Sequence, residues 1–124
     1  MTGPARATAR RDDMTATWFD GLVSGRLLLR LCQQEHLSRP DVLACDACGS
    51  LDLDWAESSG VGVVVSRAVD HSTSPSTCLV IVELAEGPWL FTRLEEGDVV
   101  RGDAVVVRIV PSRDGEPYPV VVRG

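Results

Sequence analysis

Residues 32–48 read CQQEHLSRPDVLACDAC, and this stretch decides the fold of the chain. It ends in a C-x-x-C turn formed by Cys45 and Cys48, which Gly49 follows. It begins with a similar turn at Cys32, in which Glu35 stands where a second cysteine would complete the pair. Two such turns facing each other across a short loop are typical of a zinc ribbon, because they present four ligands to one metal ion. The stretch therefore predicts a ribbon.

This ribbon has only three of the four cysteines that would complete a zinc site. Cys32, Cys45 and Cys48 are the predicted zinc ligands, and the fourth position has two candidates. Glu35 occupies the place of the absent cysteine and offers a carboxylate, whereas His36 offers an imidazole at C-x3-H spacing; zinc accepts both donor types. A metal-free ribbon stabilised by packing is the remaining alternative. A closed set of four ligands would make the zinc structural, since no general base for a hydrolytic zinc is evident.

Length, net charge and cysteine count limit the kinds of protein that this chain could be. The chain has 124 residues, enough for one ordinary domain, and a net charge of −6, which disfavours binding to a phosphate backbone. No apolar run is long enough to span a membrane, and residues 1–13 lack the apolar centre of a secretory signal. We therefore expect a cytoplasmic protein, in which four cysteines are metal ligands plus one core thiol, Cys78, and form no disulfides.

The N-terminal part is predicted to contain one short helix. Residues 1–14 are small, polar and charged, and predict a disordered leader; residues 15–24 predict a helix that Gly25 ends. Trp18, Phe19 and Leu22 would lie together on this helix. Either they pack against their own domain, or they form a docking surface for a partner protein, since exposed aromatic residues anchor interfaces.

The remainder of the chain predicts a mainly β fold. The ribbon covers residues 25–57, and five valine-rich segments with glycine and proline turns between them fill residues 58–124. We predict strands at 60–69, 77–84, 89–94, 104–110 and 118–123. Five short strands with one longer connection favour an OB-fold barrel, which closes the edges of its own sheet.

Five segments in this order resemble a known family. They are WFDGL at 18–22, GRLLLR at 25–30, CDACGS at 45–50, the Gly-Val-Gly of 60–62 and VELAEGP at 82–88. This order resembles the zinc-ribbon OB-fold proteins of the domain of unknown function 35 (DUF35) family, the acyl-CoA-associated OB-fold proteins, over about residues 16–123.

The resemblance implies an architecture and a role. The architecture is a rubredoxin-like zinc ribbon joined to an OB-fold barrel, with Cys32, Cys45 and Cys48 as ligands and no catalytic residue carried over. The role is that of a small accessory subunit beside a thiolase-like enzyme. That partner is a thiolase, an acyltransferase or a retro-aldolase acting on acyl-CoA thioesters, including those of steroid side-chain breakdown. Glu35 departs from the family pattern, which has a second ribbon cysteine.

The sequence is compatible with three classes of function. The first is the non-catalytic subunit that helps a thiolase-superfamily partner to bind or enclose its acyl-CoA. The second is a nucleic-acid-binding OB module, which the acidic charge and a lack of suitably spaced aromatic residues disfavour. The third is a small zinc enzyme. His71 lies beside Asp70 and Ser72, but neighbours in sequence rarely form a catalytic triad. Four arginines could gather on one face to meet a CoA phosphate, but scattered and solvated side chains are the favoured interpretation: Arg67, Arg93, Arg101 and Arg108.

Overall fold

The computed structural model describes residues 16–112 and 115–124, so the predicted leader at 1–14 lies outside the described residues. Within these two ranges, one helix is followed by eight strands. They are α1 (Ala16–Val23), β1 (Leu28–Cys32), β2 (Leu37–Ser38), β3 (Leu53–Glu57), β4 (Val61–Asp70), β5 (Thr77–Leu84), β6 (Trp89–Arg93), β7 (Ala104–Val110) and β8 (Tyr118–Arg123). Among these residues no helix has the length and apolar character that crossing a bilayer requires.

The strands form two antiparallel sheets, and the predicted mainly β fold is confirmed. The small sheet has the order β2-β1-β3 and carries the cysteine turns; the large sheet has the order β6-β5-β4-β7-β8. A bulge between Val64 and Ser66 bends β4, which lies at the centre of the large sheet. The outer strands then approach each other, and a parallel bridge joins Leu94 to Val121. This order and closure are those of a five-stranded OB-fold barrel.

The interior of the barrel is filled by inward-facing aliphatic side chains, with contributions from the segment before it. Alternate residues of the strands point inward, as Val80, Val82 and Leu84 do in β5. Leu27 and Leu29 lie in the same apolar cluster, although they precede the cysteine turns in sequence. One continuous core therefore joins the N-terminal segment, the small sheet and the barrel.

The helix belongs to this core, and this corrects one prediction. Phe19 and Leu22 are 5% and 2% exposed and lie in the core cluster, so they cannot serve as a docking surface. Their burial contributes about 1.5–3 kcal/mol each, whereas an isolated eight-residue helix is unstable in water. The alternative of packing within the chain therefore describes these two residues. Trp18 is half-buried and packs against the same cluster.

The end of the helix follows from Gly25, as predicted. Gly25 has a φ of 79°, in the left-handed region that glycine adopts without steric cost. Its N–H donates to the Leu22 carbonyl at 2.9 Å, and the Arg26 N–H donates to the Gly21 carbonyl at 2.8 Å. These two bonds form a Schellman motif, which turns the chain from the helix into β1.

A carboxylate fastens the segment after β3 to the barrel. Glu86 lies in the turn between β5 and β6 and accepts hydrogen bonds from the Ser58 hydroxyl at 2.8 Å and the Ser59 N–H at 2.7 Å. The Ser58 N–H in turn donates to the Leu27 carbonyl at 2.8 Å. Ser58 is buried, and these bonds fix how the small sheet leads into β4.

Candidate metal centre

Four side chains from the two cysteine turns converge on one point. The donor atoms of Cys32, His36, Cys45 and Cys48 all lie within 4.8 Å of one another. His36 Nδ1 is 3.5 Å from Cys32 Sγ and 3.8 Å from Cys45 Sγ, and the Sγ atoms of Cys48 and Cys32 are 3.9 Å apart. A tetrahedral zinc ion with Zn–S bonds of 2.3 Å would space its sulfur ligands by about 3.8 Å. The four donors are therefore close enough to hold a metal ion, and their spacing fits a tetrahedral one.

Backbone geometry shapes the second turn as a regular cysteine knuckle. The Gly49 N–H donates to the Cys45 carbonyl at 2.8 Å, and the Cys45 N–H donates to the Ser50 carbonyl at the same distance. The Ala47 N–H points at Cys45 Sγ, 3.4 Å away. Gly49 has a φ of 75°, so the glycine after the C-x-x-C pair supplies the left-handed residue that closes the turn.

The residue with a positive φ comes one position earlier in the first cysteine turn than in the second, and this difference determines which side chain is the fourth donor. Glu35 has a φ of 66°, so the left-handed position comes three residues after Cys32, whereas in the second turn it comes four residues after Cys45. The earlier reversal places His36 where its ring reaches the three sulfurs. Glu35 is exposed and contributes no donor to the cluster found among the described residues. Of the two candidates that the sequence left open, the structure brings His36 to the site.

Peptide N–H groups surround the sulfurs and favour thiolates. The N–H groups of Gln34 and His36 each lie 3.3 Å from Cys32 Sγ. Burial opposes ionisation of Cys45, but hydrogen bonds from the backbone of Cys48 and Ala47 outweigh it and lower the pKa of this thiol to about 6. The Ser50 N–H favours the Cys48 thiolate, but the Cys45 sulfur, burial and Cys32 raise its pKa above the ordinary value. Clustered thiols oppose one another's ionisation, and a bound cation would relieve that repulsion.

The other chemically active side chains of the described residues lie elsewhere. Cys78 is half-buried and packs against the core of the barrel, as the prediction of a core thiol requires. His71 Nδ1 lies 3.1 Å from the Ser76 hydroxyl, whereas Asp70 accepts both of its hydrogen bonds from Ser72. Those two bonds from Ser72 lower the pKa of Asp70. These contacts hold a loop together and do not form a Ser-His-Asp chain.

A groove on the barrel contains two exposed aromatic residues on the same side of one strand. Trp89 and Phe91 alternate along β6 on its outer side and are 43% and 58% exposed. They line an open groove of about 890 Å³, together with Arg67 and Arg93. The i, i+2 spacing of the two rings was visible in the sequence, but the exposed side of β6 follows only from the closure of the barrel. The supposed lack of spaced aromatic residues was therefore wrong.

Two of the four arginines predicted to be scattered share this groove, and a third joins them from the ribbon. Arg39 holds its guanidinium 5.5 Å from the centre of the Phe91 ring. Arg93 donates to the Tyr118 hydroxyl at 2.7 Å, and Arg67 pairs with Asp98 at 2.9 Å. Arg101 and Arg108 do not line the groove.

Comparisons with known proteins agree with this architecture. Neither a protein-family model nor a curated protein sequence matches the chain. A solved structure described as the Ltp2–ChsH2(DUF35) aldolase contains a chain with 30% sequence identity and a TM-score of 0.78; the alignment covers 95% of this chain and 98% of that one. A DUF35 protein of unknown function from Sulfolobus solfataricus has 14% identity and a TM-score of 0.62, with 91% and 85% covered, which shows the shared fold. The resemblance seen in the sequence is confirmed, and the chain belongs to the DUF35 family.

Proposed function

We propose that the protein is a non-catalytic accessory subunit, which docks on a thiolase-like enzyme and helps it to bind or enclose an acyl-CoA substrate. The observation that carries this proposal is the similarity, over 95% of the chain, to the DUF35 chain of an aldolase assembly. The family resemblance supplies the thiolase-like partner and its acyl-CoA. The partner would be a thiolase, an acyltransferase or a retro-aldolase.

We further propose that the metal is zinc and that it is structural. Three sulfurs and one imidazole nitrogen are borderline-soft donors that zinc prefers, and their spacing fits its tetrahedral geometry. Four protein ligands leave no open position at which a bound water could become a nucleophile. Metal-binding thiols in the reduced state also fit a reducing compartment such as the cytoplasm.

The contribution to catalysis would be positioning. The chain presents a barrel with an apolar groove, and the residues that line this groove include no nucleophile paired with a histidine. A second subunit that closes over a bound thioester excludes water and holds the reacting atoms in line, which lowers the barrier of a reaction carried out by other residues. The nucleophile and the acid–base groups would therefore belong to the partner.

Purification of the tagged chain from its native host tests this proposal. We expect a thiolase-superfamily enzyme to co-purify in fixed stoichiometry, and its turnover of an acyl-CoA to fall when the chain is removed and to return when it is added back. The chain alone should leave acyl-CoA thioesters intact for the duration of the same assay. Turnover by the isolated chain, or a thiolase-like protein whose activity is indifferent to it, would refute the accessory role.

A further inference from the structure

The three sulfurs of the metal centre differ in their access to solvent. Cys32 and Cys45 are each 3% exposed, whereas Cys48 is exposed at the surface. Cys78 packs against the barrel core and contributes no donor to the cluster found among the described residues. A dissolved reagent therefore reaches Cys48 first, and reaches the other two sulfurs of the centre only when the turns open.

A protected sulfur lies next to the accessible one. Cys48 Sγ is 3.9 Å from Cys32 Sγ, although the two residues are 16 positions apart in the chain. An S–S bond is about 2.05 Å long, so the two sulfurs would have to approach each other by about 2 Å to form one. An exposed thiol with a second thiol beside it is the arrangement that redox-sensing cysteines share. The geometry of the centre therefore suits oxidation as well as metal binding.

The charge around Cys48 favours a small, uncharged oxidant. The chain has a net charge of −6, and Asp46, two residues before Cys48, is exposed. Oxidised glutathione is an anion, so repulsion between like charges slows its approach to this site. Hydrogen peroxide carries no charge and is small enough to reach a sulfur within a turn. Peroxide is therefore the class of oxidant that the surroundings of Cys48 admit best.

We propose that the metal centre is a peroxide-sensitive switch, in which oxidation joins Cys48 to Cys32 and releases the metal. The Cys48 sulfur attacks one oxygen of hydrogen peroxide, the O–O bond breaks, and a sulfenic acid and one water form. The Cys32 sulfur then attacks the sulfenic sulfur, the S–O bond breaks, and a disulfide and a second water form. Counted as thiols, the two cysteines lose two electrons and two protons, and peroxide takes them up.

The disulfide leaves the metal with two of its four donors, the Cys45 sulfur and the His36 ring. If the loss of one donor in four weakens zinc on the order of 100-fold, the loss of two weakens it about 10⁴-fold. The new bond still ties the two cysteine turns together, but His36 and Cys45 no longer share a ligand. Oxidation would therefore loosen the loop between them and leave the barrel intact. This inference rests on the proposed zinc and goes beyond the accessory role.

Peroxide treatment of the zinc-loaded full-length chain tests the switch. We expect zinc, followed with a chromophoric chelator, to be released in step with a fall of about 2 Da in the mass of the chain, the loss of two hydrogens. Dithiothreitol and added zinc should reverse both changes. Hydrogen exchange should become faster in residues 33–47 of the oxidised chain and stay unchanged in β4 to β8.

Peptide mapping identifies the disulfide. Cleavage on the N-terminal side of Asp41 and Asp46 places Cys32, Cys45 and Cys48 on three separate peptides. We expect the peptides that contain Cys32 and Cys48 to be linked, and the peptide that contains Cys45 to carry a free thiol. A disulfide between Cys45 and Cys48 would overturn the proposed pairing.

Two cysteine variants complete the test. Cys48→Ser, loaded at excess zinc, should have its Cys32 thiol oxidised at least tenfold more slowly than wild type, because the two remaining sulfurs of the centre are buried. Cys78→Ala removes a thiol outside the centre and should release zinc as fast as wild type. The proposal is overturned if zinc stays bound in peroxide, or if Cys78→Ala slows its release as much as Cys48→Ser does.

Failure of the switch and failure of the proposed zinc give different results. A reduced chain that binds no zinc refutes the structural zinc, and the switch with it. A chain that binds zinc and keeps it in peroxide refutes the switch alone, and leaves the zinc and the accessory role as proposed.

Discussion

Replacing His36 and Glu35 one at a time identifies the fourth metal ligand. His36→Ala removes a donor that lies 3.5 Å and 3.8 Å from two of the three sulfurs. Glu35→Ala removes a side chain that contributes nothing to the four-donor cluster. The two positions are adjacent in the same turn, so each variant is the matched control of the other. We expect only the histidine variant to lose metal affinity.

The size of the loss follows from the number of donors. Structural zinc sites contribute about 10–16 kcal/mol of apparent binding free energy at pH 7, so one donor in four accounts for about 3 kcal/mol. His36→Ala should therefore weaken zinc binding on the order of 100-fold. At a free zinc concentration of 100 times the dissociation constant, bound metal stabilises the native chain by about 2.7 kcal/mol. At that same concentration the variant would keep about 0.4 kcal/mol of this stabilisation.

Competition with a chromophoric chelator gives the affinity of each variant, and thermal unfolding at fixed free zinc gives its stability. We expect Glu35→Ala to match the wild-type affinity within about twofold, because the four donors remain. The assignment is refuted if His36→Ala binds zinc as tightly as wild type, or if Glu35→Ala loses more affinity than His36→Ala. If both variants bind zinc as tightly as wild type, the three cysteines are sufficient for binding.

Three further predictions concern stability. Glu35→Gly should stabilise the chain by about 1 kcal/mol in chemical denaturation, because glycine adopts a φ of 66° without the steric cost borne by other residues; a destabilised variant would contradict this account. Burial of Glu86 would raise its pKa, but hydrogen bonds from Ser58 and from the Ser59 N–H outweigh burial and lower that pKa. The ionised carboxylate therefore stabilises the folded chain above about pH 5, and this stabilisation is lost as the pH falls through the lowered pKa. Glu86→Gln should therefore be less stable than wild type at pH 7, by about 1 kcal/mol, and the gap should close near pH 3; a gap independent of pH would exclude the ionised carboxylate as its cause. Phe19→Ala should cost about 3–5 kcal/mol in the same denaturation assay, and a cost below 1 kcal/mol would place this side chain outside the core.

Much of the fold could be predicted because its strands are regular and well separated. The predicted segments 77–84, 104–110 and 118–123 coincide with β5, β7 and β8, since valine-rich runs between glycine and proline turns mark their own ends. The two-residue strand β2 was missed, because two residues carry no period. Its position depends on pairing with β1 after the first cysteine turn has formed.

The candidate site was predicted less completely, for reasons that are local and physical. Spacing alone allowed either Glu35 or His36 to be the fourth ligand, because the choice depends on which residue adopts a positive φ. The pattern of Phe19 and Leu22 suits a buried face and a docking face equally well, and only the core they meet decides between them. The exposed side of Trp89 and Phe91 depends on strand register, which long-range pairing sets.

The metal centre and the groove are connected by a short piece of chain. His36 is followed at once by β2, and three residues after His36 comes Arg39, which lies over the Phe91 ring. Ser38, between them, is buried; its hydroxyl lies 4.0 Å from Cys45 Sγ and accepts a hydrogen bond from the Asp46 N–H at 3.2 Å. A metal ion held by His36 and Cys45 would therefore fix both ends of the loop that forms one wall of the groove. This would give the candidate metal centre a physical role in a subunit whose proposed task is to hold a ligand in place.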